Sequence, residues 1–342
     1  MGRKTVYNHI TTPELINKIN PKNKRLIKDY LNYLSSIQRS LNTIHSYKSD
    51  LEIFFVWNLQ NNDNKEFVNV TKRDIIAYQS YLINENKNSP ARVRRLKSCL
   101  SSLSNYIADI CDDEYEDFRP IIRKVENPVN VAVREKTVLS VEEIDKLLKV
   151  LVDNKEYMKA CVVALGACSG ARKAELLRFK ASYFTDKNII YGSLYKTPEK
   201  IKTKGRGLGK FIYRYTLAKE FQPYLDLWIN ERKELGVDND YLFVHKVKDN
   251  WVVVNKSMLD SWTEKFSEII GKPFYYHAER HYFCTKLAKC NIPDNVIQDI
   301  VGWESADMVK IYKDIDADEE LSKYFDKNGI KQVKKTTLAD LK

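Results

Sequence analysis

Two arginines stand where helices can aim them. Arg172 follows Gly166-Ala-Cys-Ser-Gly170-Ala171 and precedes Lys-Ala-Glu-Leu-Leu, which puts it at the start of a helix. Glu175, three residues on, is in reach to fix its side chain. More than a hundred residues later, His277-Ala-Glu-Arg280 sets a histidine and a second arginine at i and i+3, so both project from one helical face. Gly302-Trp303 follows, with Tyr312 nine positions after the tryptophan. Taken singly, each has an ordinary reading: a surface ion pair for Arg172 and Glu175, packing for His281. As a set they can do phosphodiester chemistry. Two guanidinium forks can neutralise bidentately the charge that grows on the nonbridging oxygens as a fifth ligand approaches phosphorus. A tyrosine phenol, with a free pKa near 10, needs a proton acceptor or a strongly positive site before it can attack.

The chain that must position these groups has 342 residues, room for about two domains of 100 to 200 residues each. With 43% hydrophobic and 30% charged residues, 11 glycines and 9 prolines, it belongs with folded proteins, not disordered or fibrous ones. No apolar run approaches the roughly 20 residues of a membrane span, and residues 1–20 lack the apolar core of a signal peptide. A cytoplasmic protein with no membrane partner is therefore expected. The cysteines at 99, 111, 161, 168, 284 and 290 form no C-x-x-C pair, so reduced, buried thiols and no zinc site are expected. Lys and Arg number 57 against 46 Asp and Glu, and the net charge of +11 draws the chain to polyanions, nucleic acid first.

The texture changes over residues 111–136, where two prolines interrupt a stretch without helical periodicity and a linker is expected. Ahead of it only helices are expected. Ser40 can cap a segment in which Ile44, Tyr47, Leu51, Phe54 and Phe55 recur at three- and four-residue spacing, and residues 71–83 make a second. Ser89-Pro90 supplies a cap and a first-turn proline for residues 91–107, whose buried stripe is Val93, Leu96, Leu100, Leu103 and Ile107. Arg92, Arg94, Arg95 and Lys97 interleave with that stripe and read equally as a solvated face or as contacts to a DNA backbone.

Beyond the linker, Ser140-Val-Glu-Glu143 opens a helix with a capping box, and residues 157–165 form an apolar one. Residues 188–191, a stretch ending near Lys202, and residues 210–217 are expected to form a small three-stranded antiparallel sheet. Helices resume to the end apart from an extended piece at 241–244. The fold expected is mainly α with one small antiparallel β-sheet.

The order arginine, hairpin lysine, H-x-x-R, Gly-Trp, tyrosine resembles the catalytic series of the tyrosine recombinase, or phage integrase, family over about residues 137–325. SGARKAELL is similar to its G-x-R-x-x-E-L box, residues 275–303 to its H-x-L-R-H-x-x-x-T box, and VKIY to its tyrosine box. The helices ahead resemble its core-binding domain. The sequence departs from the pattern twice. Glu279 stands at a usually apolar position, and Trp303 stands where histidine is commoner; its indole N–H can donate one hydrogen bond but cannot shuttle a proton.

The resemblance implies an N-terminal extension (1–20), a helical core-binding domain (21–112), a linker (113–136), a catalytic domain (137–328) and a C-terminal tail (329–342). With only about 20 residues ahead of these helices, no folded arm-binding domain is expected. It implies that Arg172 and Arg280 hold the scissile phosphate and that Tyr312 attacks to give a 3′-phosphotyrosine. His277 and Trp303 assist, and Glu175 supports Arg172. A hairpin lysine would protonate the leaving 5′ oxygen. Lys204 is preferred and Lys202 is the alternative, the other holding phosphate. Lys202 and Arg206 join Arg92, Arg94, Arg95 and Lys97 as expected DNA contacts. No metal or other cofactor is expected, since the cationic side chains do what magnesium does elsewhere. The partners implied are double-stranded DNA with a specific recombination site and further copies of the chain in a tetramer, with residues 330–341 docking on a neighbour. The function implied is integration or excision of a phage or mobile element. The alternatives are a chromosome or plasmid dimer resolvase, a type IB topoisomerase, and a catalytically silent DNA-binding regulator.

Overall fold

Side-chain caps set where the N-terminal helices begin. In a computed structural model of the chain, which describes residues 10–129, 137–203, 209–303, 305, 309, 325–326 and 329–330, these helices are α1 (Pro13–Lys18), α2 (Pro21–Ser36), α3 (Leu41–Asn61), α4 (Lys72–Asn84) and α5 (Pro90–Ile110). Ser40 Oγ accepts from the Thr43 N–H at 3.2 Å, and Ser89 Oγ accepts from the Arg92 N–H at 3.3 Å with Pro90 in the first turn. Thr71 and Asp74 form a reciprocal capping box. Leu51, Phe54 and Phe55 of α3, Ile75, Tyr78 and Leu82 of α4, and the expected stripe of α5 make one core. Each such side chain taken fully out of water contributes about 1.5–3 kcal/mol.

Two expectations for this region are corrected. Lys97 is not on the surface: it is 3% exposed, and its Nζ donates to Gln79 Oε1 (2.6 Å) and to the carbonyls of Val125 (3.0 Å) and Glu126 (2.9 Å). Residues 111–129 do not behave as a free linker. A 3₁₀ turn at Ile122–Lys124 carries Ile122 into the core beside Val125, and Arg123 Nε donates to Ser101 Oγ.

Contacts divide the described residues into two units, those up to 129 in one and those at 137–203 and from 210 onward in the other. The second contains α6 (Val141–Asp153), α7 (Tyr157–Ser169), α8 (Lys173–Leu176), α9 (Ala218–Glu234), α10 (Lys256–Ile270), α11 (Tyr276–Lys289) and α12 (Asp294–Val301). The Ser140–Glu143 capping box starts α6 as expected. Helix α7, buried along its length after the first turn, packs against α6, α9 and α11 and forms the axis of the unit.

The expected single sheet is several ladders. Strands β1 (Ile189–Ile190), β2 (Leu194–Lys196) and β5 (Tyr215–Leu217) form a three-stranded antiparallel sheet in the order β1-β2-β5. Strands β3 (Ile201–Lys202) and β4 (Phe211–Ile212) pair separately, with Lys202 opposite Phe211. A hairpin of β6 (Val244–Val247) and β7 (Asn250–Val253) follows, where the sequence reading had only one extended piece. Where helices were expected to continue to the end, β8 (Phe325–Asp326) instead pairs with β9 (Gly329–Ile330). Residues 310–324 and most of the tail lie outside the described residues. Cys99, Cys161, Cys168 and Cys284 are buried as expected, whereas Cys111 is half-buried and Cys290 exposed. Among the described residues no helix is long and apolar enough to cross a membrane.

Candidate active site

Helix α7 must end for Arg172 to face outward, and Gly170 ends it. Its left-handed backbone (φ +57°) caps the helix, and a Cβ there would lie 2.5 Å from the Phe283 ring of α11, so this step needs glycine on both counts. Arg172 then opens α8. Its N–H donates to Glu175 Oε2 (2.9 Å) and its Nη1 to Glu175 Oε1 (2.8 Å) and Thr203 Oγ1 (3.2 Å). The expected pairing with Glu175 is present, but Glu175 is 1% exposed, so this is a buried anchor and not a surface ion pair. Burial alone would raise the Glu175 pKa. The Arg214 charge, the Arg172 N–H and the Arg172 charge outweigh it and hold the carboxyl below its ordinary range.

Arg280 enters from α11 and is fully buried. Its Nη1 donates to the Gly170 carbonyl (2.7 Å), two residues before Arg172, and its Nη2 to the Val301 carbonyl (3.0 Å). The guanidinium carbon lies 4.9 Å from the centre of the Trp303 ring, a cation–π contact that also buries the indole. Burial, then the charges of Arg172 and Arg214, push its pKa down to about 9. His277 is exposed in the first turn of α11, its ring edge-on to that of His281 at 5.4 Å.

The hairpin reaches the site through two contacts. Thr203, which accepts from Arg172, also donates its N–H to the Lys210 carbonyl (2.7 Å). Ile212 of β4 lies against Gly302, whose left-handed φ of +75° ends α12 and leaves no room for a Cβ. Lys202 is exposed, and its carbonyl accepts from Arg178. Lys204, Arg206 and Tyr312 lie outside the described residues.

The structure thus brings Arg172, Glu175, Arg280 and Trp303 together and sets His277 one turn from Arg280. It also adds a residue that the sequence reading missed. Arg214, between β4 and β5, is fully buried, and its Nη2 lies 3.7 Å from Glu175 Oε2. Three guanidiniums against one carboxylate leave excess positive charge in a desolvated place, an arrangement that favours an incoming anion with little reorganisation. Among the described residues no group of three His, Cys, Asp or Glu side chains has metal-binding geometry.

The expected DNA contacts of α5 fare differently from one another. Arg92 and Arg95 both hold the buried Asp50 carboxylate, at 2.7 and 3.2 Å. Arg94 is exposed, with one long contact to the Pro128 carbonyl (3.4 Å), while Lys97 is inside.

The chain has clear relatives. The family model described as Phage integrase family matches residues 137–319, and that described as Phage integrase, N-terminal SAM-like domain matches residues 26–117. The chain is 28% identical over 274 residues, 78% of each chain, to the SPbeta prophage-derived recombinase-like protein YomM of Bacillus subtilis (strain 168). It is 25% identical to the tyrosine recombinase XerC of Caldanaerobacter subterraneus subsp. tengcongensis, covering 90% of this chain and 87% of that one. The crystal structure of the XerH site-specific recombinase bound to a palindromic difH substrate superposes with a TM-score of 0.63, at 21% identity, covering 83% of this chain and 79% of that one, and so shares the fold.

Proposed function

The chain belongs to the phage integrase family, and we propose that it is a site-specific recombinase that cleaves and rejoins double-stranded DNA through a 3′-phosphotyrosine intermediate. The observation that carries this reading is the guanidinium cluster: Arg214 shares the Val301 carbonyl with Arg280 and pairs at 3.7 Å with the Glu175 carboxylate that holds Arg172, and the three arginines carry more positive charge than Glu175 can balance. Such a cluster suits the scissile phosphate, which gains negative charge in the transition state.

In this scheme Arg172 and Arg280 bind the nonbridging oxygens. Tyr312 attacks phosphorus and the 5′ oxygen leaves, protonated by Lys204 or, in the alternative, Lys202. His277 takes part in the phenol's proton transfer, and Trp303 holds Arg280 through its ring and offers one indole N–H. The intermediate keeps the energy of the broken phosphodiester, so a new DNA end can reseal it without ATP and without a metal. The helices of residues 21–112 and the catalytic residues 137–328 would each contact the duplex. Four copies would meet on two sites, with residues 330–341 docking on a neighbour.

Integration or excision of a mobile element is the role favoured, in keeping with the similarity to a prophage-derived recombinase-like protein. Resolution of chromosome or plasmid dimers is the second reading. Plasmid topology separates the enzyme classes. A recombinase converts a plasmid bearing two copies of its site to resolved or inverted products and leaves a site-free plasmid supercoiled. A topoisomerase relaxes both, and a silent regulator changes neither.

A further inference from the structure

Arg214 sits in Phe-Ile-Tyr-Arg-Tyr-Thr-Leu, a segment whose alternation suggests an aromatic face turned inward. The structure has the opposite face inside: Arg214 is 0% and Thr216 1% exposed, whereas Phe211 is 47% exposed. Burying a guanidinium is costly unless every contact compensates, and an apolar side chain of similar volume is often no less stabilising. Sheet register does not require this arginine. Its main chain is already fixed by Thr197, whose Oγ1 accepts from the Arg214 N–H (3.0 Å) and whose N–H donates to the Arg214 carbonyl (3.0 Å).

The side chain points elsewhere. Nη2 donates to the carbonyl of Ser169, the last residue of α7 (3.0 Å), and Nη1 to that of Val301, the last residue of α12 (3.0 Å). The next carbonyl after Ser169, that of Gly170, takes Arg280, and the Val301 carbonyl is shared with Arg280. The third partner, Glu175, is the carboxylate that grips Arg172. Val301 and Glu175 thus directly contact an arginine of the candidate site, and Ser169 adjoins the Gly170 whose carbonyl holds Arg280.

We propose that Arg214 is a positioning residue for the phosphate-binding arginines: its fork ties the end of α7, the end of α12 and Glu175 together, and so sets where Arg172 and Arg280 point. This rests on the recombinase reading for its consequence in catalysis, but not for its geometry. A lysine at this position keeps the charge yet cannot span two carbonyls.

Two measurements on the full chain test it, with Arg214→Met and Arg214→Lys. The first needs no DNA. The rate at which phenylglyoxal modifies Arg172, read by peptide mass spectrometry, should rise about tenfold in Arg214→Met, as when one charge-assisted hydrogen bond is lost, and less in Arg214→Lys. An unchanged rate in a folded variant overturns the proposal. The second uses a duplex selected from a random-sequence pool by the wild-type protein. Arg214→Met should slow single-turnover covalent capture about a hundredfold while DNA affinity stays nearly constant. In an Arg172→Ala background the same change should cost less than in the wild type, because the part of its effect that acts through Arg172 is already lost. Equal losses in the two backgrounds would contradict the proposal. So would failure of both Arg214 variants to fold, since the residue would then serve stability alone. If the wild type forms no covalent complex, the recombinase reading fails, and the phenylglyoxal rates still decide the positioning role.

Discussion

Arg214 and Arg280 donate to the same oxygen: the Val301 carbonyl accepts from Nη1 of one and Nη2 of the other, each at 3.0 Å. Two like charges share one acceptor at the C-terminal end of α12, where the helix dipole favours cations. Their mutual repulsion and that of Arg172 remain, and an anion bound beside them would relieve it.

Anion binding should therefore stabilise the protein. Inorganic phosphate or pyrophosphate is expected to raise Tm at neutral pH, and Arg172→Ala to abolish most of the rise. Below about 9 both folded and unfolded chains carry the Arg280 charge, so its burial cost is constant. As pH passes that value the folded state sheds the proton first, the repulsion relaxes and the stabilisation by anion should fade. Differential scanning fluorimetry across pH checks both the size and the direction.

Glu279 is fully buried on the side of α11 facing Gly166, where a Cβ would lie 1.8 Å from its Oε2, and neither carboxylate oxygen has a hydrogen-bond partner among the described residues. Burial raises its pKa well above the ordinary carboxylate value, so it is held neutral. The unfolded chain releases this proton in the usual carboxylate range while the folded chain keeps it, and stability is lost as pH rises from there. Glu279→Leu should stabilise by about 1–3 kcal/mol, the cost of an unsatisfied buried polar group, with a gain that grows with pH. Denaturant unfolding at acidic and neutral pH would reveal a gain independent of pH if the carboxyl were ionised in the fold.

On α5, Arg94 and Lys97 should part company. Arg94→Ala is expected to flatten the salt dependence of DNA affinity by about one unit of slope, the signature of one phosphate contact. Lys97→Ala should lower Tm by removing the donor to Gln79, Val125 and Glu126 while leaving that slope unchanged. Binding titrations at several salt concentrations separate the two effects.

A bridging 5′-sulfur substrate identifies the general acid, because a thiolate leaves without protonation. Lys204→Ala should be slow on ordinary DNA and near normal on the sulfur substrate. Rescue of Lys202→Ala instead would move the role to Lys202, and rescue of neither would leave both as phosphate contacts.

Much of this was legible from local rules. Ser40, Ser89-Pro90 and Ser140-Glu143 fix helix starts because a cap needs only a few neighbouring residues, and the α5 stripe is buried at each expected position. Lys97 was misread, although its place four residues after Val93 and three before Leu100 puts it on the buried stripe. Residues 111–129 lack periodicity because they pack through a 3₁₀ turn and single side chains, not a helical face. Arg214 left no sequence signal, since its partners are backbone carbonyls from α7 and α12 that only the tertiary fold brings near.

The central claim is covalent chemistry at one phenol. Wild-type protein incubated with a duplex carrying its own site and a bridging 5′-sulfur should yield an SDS-resistant protein–DNA complex, which peptide mass spectrometry assigns to Tyr312. Tyr312→Phe should bind the same duplex with nearly unchanged affinity and yield none, since only the nucleophilic oxygen is missing. An adduct that persists in Tyr312→Phe, or that maps to another residue such as Tyr324, would contradict the account.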